Sequence, residues 1–130
     1  MLPADYNKIK TYEIFKIFFQ HYEPKKTVQE VDCENLDFVT LHNILSSTFQ
    51  VENVVGKKSI DDLTNSTLPA IAFLNINGGS FAVVSEITEG YVKWTSPQYG
   101  EQKNSMNLFK KIYSGLVLTH IVEKEMDKIM

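Results

Sequence analysis

An α+β fold, with N-terminal helices packed on a C-terminal antiparallel sheet, is what this 130-residue sequence predicts. Two observations carry that expectation. Apolar residues recur at steps of three and four through residues 12–49, the period of amphipathic helices. Beyond Pro69 the pattern changes to short apolar runs separated by turn chemistry, the signature of strands and hairpins.

In "YNKIKTYEIFKIFFQHYE", Tyr12, Phe15, Phe18, Phe19 and Tyr22 share one face, while Lys10, Glu13, Lys16 and Gln20 take the other. Pro24 helps to end that helix, and His21 lies near its C-terminal carbonyls. A second helix is expected from about Asp37, with Phe38, Leu41, Leu45 and Phe49 on one face and Asn35 or Asp37 as the cap. It should pack on the first. The polar stretch "PKKTVQEVDCEN" between them reads as a loop with a short helical turn. Val51, Val54 and Val55 suggest a short strand broken by Gly56, and Ser59 with Asp62 frames one helical turn.

The meander then runs "AIAFLNI", Asn77-Gly78-Gly79, "FAVVSEI", Glu89-Gly90, "YVKW" and "SPQYG". The glycines at 78 and 79 are flanked by strands and lack the Gly-Lys-Ser/Thr of a phosphate loop, so a hairpin turn is expected. A helix behind Ser105 or Asn104 places Leu108, Phe109, Ile112 and Tyr113 on one face, and "GLVLTHIV" returns as a strand after Gly115. Residues 1–122 read as one domain, and 123–130 as a tail or the start of a linker to a following region.

Composition narrows the function classes. The net charge of -3 is mild and scattered, so no basic stripe invites nucleic acid. One cysteine, Cys33, precludes an internal disulfide, and three histidines far apart suggest no metal site and no cofactor. No apolar run reaches the roughly 18 residues that a membrane span requires. Glu13 with Glu23, and Asp61 with Asp62, read as solvated charge rather than paired catalytic acids.

The order helix, helix, strand, "LPAIAFL", turn, "FAVV", hairpin, "SPQYG", helix and "YSGLVL" resembles the bacteriocin-processing cysteine peptidases, the papain-like domains at the N-terminus of exporters that clip double-glycine leader peptides. The likeness covers residues from about 5 to 122 and is most specific over 68–118. It implies a papain-like cysteine peptidase fold. It also implies where catalytic residues should stand: a histidine immediately before the Phe of the second strand, an aspartate or asparagine before the Pro after the third, and a cysteine opening the first long helix. Here those positions are Ser80, Ser96 and a stretch from Asp5 to Thr11 without cysteine; Tyr6, Asn7 and Lys10 are the candidates for the nucleophile's place. A thiolate needs an imidazole beside it, and the imidazole needs a partner to set its tautomer. Serine supplies neither.

The resemblance, with those departures, predicts a non-catalytic peptidase-like domain of a larger membrane protein, an exporter or a related fusion such as a membrane thiol oxidoreductase. Its partners would be a peptide or secreted-protein substrate and the transmembrane and ATP-binding regions of the parent, and it would sit on the cytoplasmic face of the membrane. The expected cleft residues are Tyr6, Asn7, Ser80, Trp94 and Ser96, with Trp94 either a groove wall or a core residue. Two other classes stay open. An active leader peptidase would have to use Cys33, which resembles the family's Asp-Cys-Gly only through Asp32-Cys33 and otherwise reads as a structural thiol. A structural interaction module would have its cleft closed by side chains.

Overall fold

The structure, a computed structural model, describes the backbone of residues 6–31, 33 and 35–121, and the side chains of these from residue 10 onward. The expected tail at 123–130 therefore lies outside the described residues.

Helix α1 (Tyr6–Tyr22) and helix α2 (Phe38–Ser47) form the N-terminal half. The apolar face read from α1 is the buried one: Phe15, Phe18 and Phe19 are inaccessible, and Ile14 joins them. Asp37 caps α2, its carboxylate accepting from the Thr40 amide at 2.8 Å. The helix ends at Ser47, so Phe49 lies just past it rather than on its face. Its ring is nevertheless buried, with centroids 5.3 Å from Phe15 and 5.0 Å from Phe19.

Strand β1 (Asn53–Lys57) follows, then the single turn α3 (Ile60–Thr64), capped by Ser59 on the Asp62 amide. Gly56 does not break the strand as expected; it pairs with Val117 inside the ladder. A glycine weakens a strand without forbidding it when the partner strand supplies the bonds. The remaining strands are β2 (Ala70–Leu74), β3 (Ser80–Ile87), β4 (Tyr91–Ser96), β5 (Gly100–Ser105) and β6 (Tyr113–His120), with α4 (Met106–Ile112) between the last two. They make one six-stranded sheet in the order β1-β6-β2-β3-β4-β5, every pair antiparallel.

Strand β5 has no counterpart in the sequence reading. Its residues "GEQKNS" are polar because it is an edge strand packed on neither core, so no alternation of hydrophobicity marks it. Strand β6 begins at Tyr113, before Gly115, and takes Tyr113 out of the helical face assigned to it. On α4 only Phe109 of the four expected residues is fully buried, while Leu108 is exposed.

The sheet separates two apolar layers. On one face Ile71, Val83 and Leu118 pack against the aromatic residues of α1 and the apolar residues of α2. On the other, Ala70, Ala72, Ala82, Val84, Val92, Trp94 and Val117 pack against Leu63 and Phe109. The alternation along β2 and β3 sends successive side chains to opposite layers, as the pleat requires.

Candidate functional site

One cleft, about 230 Å³ in volume, opens where α1 meets the ends of β3 and β4. Lys10 and Ile14, one helical turn apart, give its helix wall, and Leu36 of the inter-helix loop adjoins them. The opposing wall combines Phe73 of β2, the Gly78-Gly79 turn, Ser80 and Phe81 at the start of β3, and Ser96, Pro97 and Gln98 at the end of β4.

The hairpin turn that opens the cleft depends on its glycines. Asn77, Gly78 and Gly79 have φ of 46°, 89° and 113°, three successive left-handed conformations that suit Asn and Gly. The Asn77 amide donates to the Tyr99 hydroxyl at 2.6 Å, tying this turn to the neighbouring one. Phe73 sits beneath the turn, its ring 5.1 Å from Phe81, which in turn meets Phe38 of α2 at 4.9 Å. These edge-on contacts give the cleft an aromatic floor.

Ser80 and Ser96 are thus brought to one cleft from adjacent strands, and Lys10 joins them from the helix. Their hydrogen bonds are those of structural serines. The Ser80 hydroxyl donates to the Gln98 side-chain carbonyl at 3.4 Å. Ser96 is buried, and its oxygen accepts from the Tyr99 amide at 2.9 Å, which closes the Ser-Pro-Gln-Tyr turn. Among the described residues that line the cleft there is no cysteine, histidine or carboxylate. The side chains of Tyr6 and Asn7, the other expected cleft residues, lie outside the described residues.

Trp94 is not in the cleft. Paired with Val84 in the β3–β4 ladder, it faces the second apolar layer with Val92 and Phe109, 3% exposed, and its indole N–H donates to Asn104 at 2.8 Å. The groove-wall expectation for it is corrected by packing: the ring belongs to the apolar layer of Val92 and Phe109, on the side of the sheet opposite α1. Gln98, named in no expected site, belongs to the cleft, as does Lys10, expected only as a candidate for the nucleophile's place. Gln98 sits in the turn after β4, where its side chain meets Ser80.

The alternative nucleophile fares differently. Cys33 is half-buried at the margin of the helical core and does not line the cleft, and its neighbours Asp32 and Glu34 lie outside the described residues. His42 is committed elsewhere: its Nδ1 donates to the Asn53 side-chain oxygen at 2.8 Å, while the Asn53 amide donates to Ser46 Oγ and the Val51 carbonyl.

His120 is buried between layers, its ring 4.7 Å from Tyr22 and 6.1 Å from Phe18, with neither nitrogen hydrogen-bonded. Loss of water pushes its pKa below 6.5, and the nearby Leu68 backbone opposes this more weakly. The unfolded chain therefore takes up a proton before the folded one does. Stability contributed by the neutral ring is complete above pH 6.5 and is lost as the pH falls below it toward the folded value. Urea titrations at stepped pH should show this decline, and His120→Phe should flatten it; an unchanged slope in that variant would assign the decline to other groups.

This geometry has two likenesses among known proteins. A model of the Peptidase C39 family matches residues 13–125. A solved structure described as a double glycine motif protease from an AMS/PCAT transporter, in complex with the leader peptide, superposes with a TM-score of 0.71 over 92% of this chain and 88% of that chain, at 16% identity. No curated protein matches. The structural likeness establishes the papain-like peptidase fold, helices packed on an antiparallel sheet.

Proposed function

The chain belongs to the Peptidase C39 family, and from that membership we propose that it is a non-catalytic member that holds a peptide in the cleft between α1 and the ends of β3 and β4. The observation that carries this reading is the convergence of Lys10, Ser80 and Ser96 on one open cleft. Ser80 and Ser96 are the two residues that stand where the resemblance expects a histidine and its partner, and Lys10 is the polar residue that the helix contributes. A lysine, two hydrogen-bonded serines and a glutamine contain no imidazole to generate a nucleophile and no thiol to become one.

The same lining suits binding. Ile14, Leu36, Phe73 and Phe81 offer apolar surface, while Ser80, Gln98 and Lys10 offer polar groups around it, the mixture that fixes an extended peptide with small apolar side chains. The similar transporter protease was solved with a leader peptide, which supports a peptide as the ligand class. With Phe81 in its wall the cleft remains open, which favours a binding role over a purely structural module. The alternative of an active leader peptidase rests on family membership, and it would have to recruit Cys33 from outside the cleft.

In this reading the domain is one part of a larger membrane protein, an exporter or a thiol oxidoreductase fusion, and keeps a secreted substrate near the translocation path on the cytoplasmic face. No helix among the described residues is long and apolar enough to cross a membrane, so anchoring would fall to other parts of that protein.

An NMR titration of the labelled chain with double-glycine leader peptides and with unfolded C-terminal segments of secreted proteins tests the site. Shifts are expected at Ser80, Phe81 and Gln98, and Ser80→Trp, which fills the cleft from a half-buried position, should remove them. Shifts confined to other surfaces, or binding that Ser80→Trp leaves intact, would refute it.

A further inference from the structure

The two edges of the sheet are protected unequally. The outer strand β5 is polar throughout, with Glu101 and Lys103 along it and the Lys103 ammonium 4.1 Å from the Tyr91 ring centroid. Charged residues of this kind blunt an edge against further pairing. The opposite edge, β1, reads Asn-Val-Val-Gly-Lys. Val54 is 50% exposed there, Gly56 has open space where a Cβ would stand, and the neighbouring Val39 of α2 is 69% exposed. Phe38, Val39, Val54 and Val55 border a groove of about 320 Å³, with His42 and Asn53 as its polar members.

The backbone bonds of this edge select a register. The Lys58 amide donates to the Gly115 carbonyl and the Glu52 carbonyl accepts from the Ile121 amide, both at 2.9 Å. Residues 52, 54, 56 and 58 thus direct their backbone groups inward to β6, and alternation leaves Asn53, Val55 and Lys57 with amide and carbonyl directed outward. No strand among the described residues pairs with that outer side.

The charges complete the pattern. Glu52 precedes the strand, and Lys57 and Lys58 close it. A segment acidic at one end and basic at the other is complementary to itself when reversed. We propose that the partner for this edge is a second copy of the chain, the two β1 strands pairing antiparallel about a two-fold axis at Val55. Val55 then exchanges both backbone bonds with its counterpart, and Asn53 does so with Lys57 of the other copy. Glu52 lies opposite Lys58, and the exposed Val54 lies opposite Gly56, where there is no side chain to obstruct it. The axis is perpendicular to the sheet, so both α2 helices stay on one face and bring their exposed Val39 side chains toward the junction. Five residues of strand with flanking valines fall short of the area of a standard interface, so association is weak, micromolar or above.

Sedimentation equilibrium of the chain from about 10 µM to 1 mM tests this. Dimerisation is expected within that range. Val55→Pro, which removes an outward N–H while sparing the inner ladder, should abolish it in a protein that still melts cooperatively. E52K and K58E should each weaken it about tenfold, by turning two attractive pairs repulsive. An equimolar mixture of the two variants should restore association as a heterodimer. A chain that stays monomeric at 1 mM overturns the proposal. So does a dimer indifferent to the charge variants, or an edge that takes up a foreign extended peptide but not its own copy.

Discussion

Gly79→Ala is expected to cost about 2–5 kcal/mol of stability and to abolish peptide binding in the cleft, although a single methyl group is added. Two independent penalties meet at this residue. Its φ of +113° lies in a region that L side chains rarely adopt. A Cβ there would also stand 2.2 Å from Phe73 Cζ and 3.0 Å from both neighbouring ring carbons, closer than atoms can approach. Phe73 must therefore move, and its ring is in contact with Phe81, which meets Phe38. Both Phe73 and Phe81 line the cleft, so the displacement reaches the binding surface directly. Gly78→Ala is the control. Gly78 has a similar left-handed backbone, at φ +89°, but nothing lies within 4 Å of its added carbon, so only the conformational cost of about 1 kcal/mol applies. Urea denaturation of both variants decides the matter. Equal losses would show that Phe73 does not press on the turn.

Phe18→Ala is expected to be the costliest change on the helical side, about 3–5 kcal/mol. The ring is wholly buried, with centroids 5.3 Å from both Phe19 and Tyr22 and 6.1 Å from His120. For a domain of ordinary marginal stability, about 5–15 kcal/mol, that is a large share of the total. The cavity would also admit water to His120, whose pKa is low because it is dry, so the acid-side decline should become shallower in the same variant. Leu108→Ala on α4, at an exposed position, should change stability by no more than about 0.5 kcal/mol. Thermal and chemical denaturation of the pair would check both magnitudes. A small loss at Phe18 would mean that the helical layer can collapse around the space.

What the sequence revealed and what it concealed follow from range. Caps at Asp37, Ser59 and Ser105 are local, each needing only a side-chain oxygen and an amide three residues on, and each was readable. The helical period of α1 and the Asn-Gly-Gly turn are local too. The edge strand β5 was hidden because its polar residues carry no apolar alternation, and Gly56 misled because the ladder bonds that hold it come from Val117, more than sixty residues away. The same distinction governs the site. Ser80 and Ser96 were legible as positions in motifs. That Lys10 and Gln98 complete the cleft, and that Trp94 packs away from it, depends on how α1 seats on the sheet and on long-range packing around the Trp94 ring.

The claim that most needs testing is that the cleft binds peptide without cutting it. Incubating the chain with a double-glycine leader peptide under reducing conditions, and following the peptide by mass spectrometry alongside the NMR titration, measures both at once. Shifts at Ser80 and Gln98 are expected, with the peptide recovered intact. Cleavage that disappears in Cys33→Ala would contradict it and restore the chain to the active peptidases.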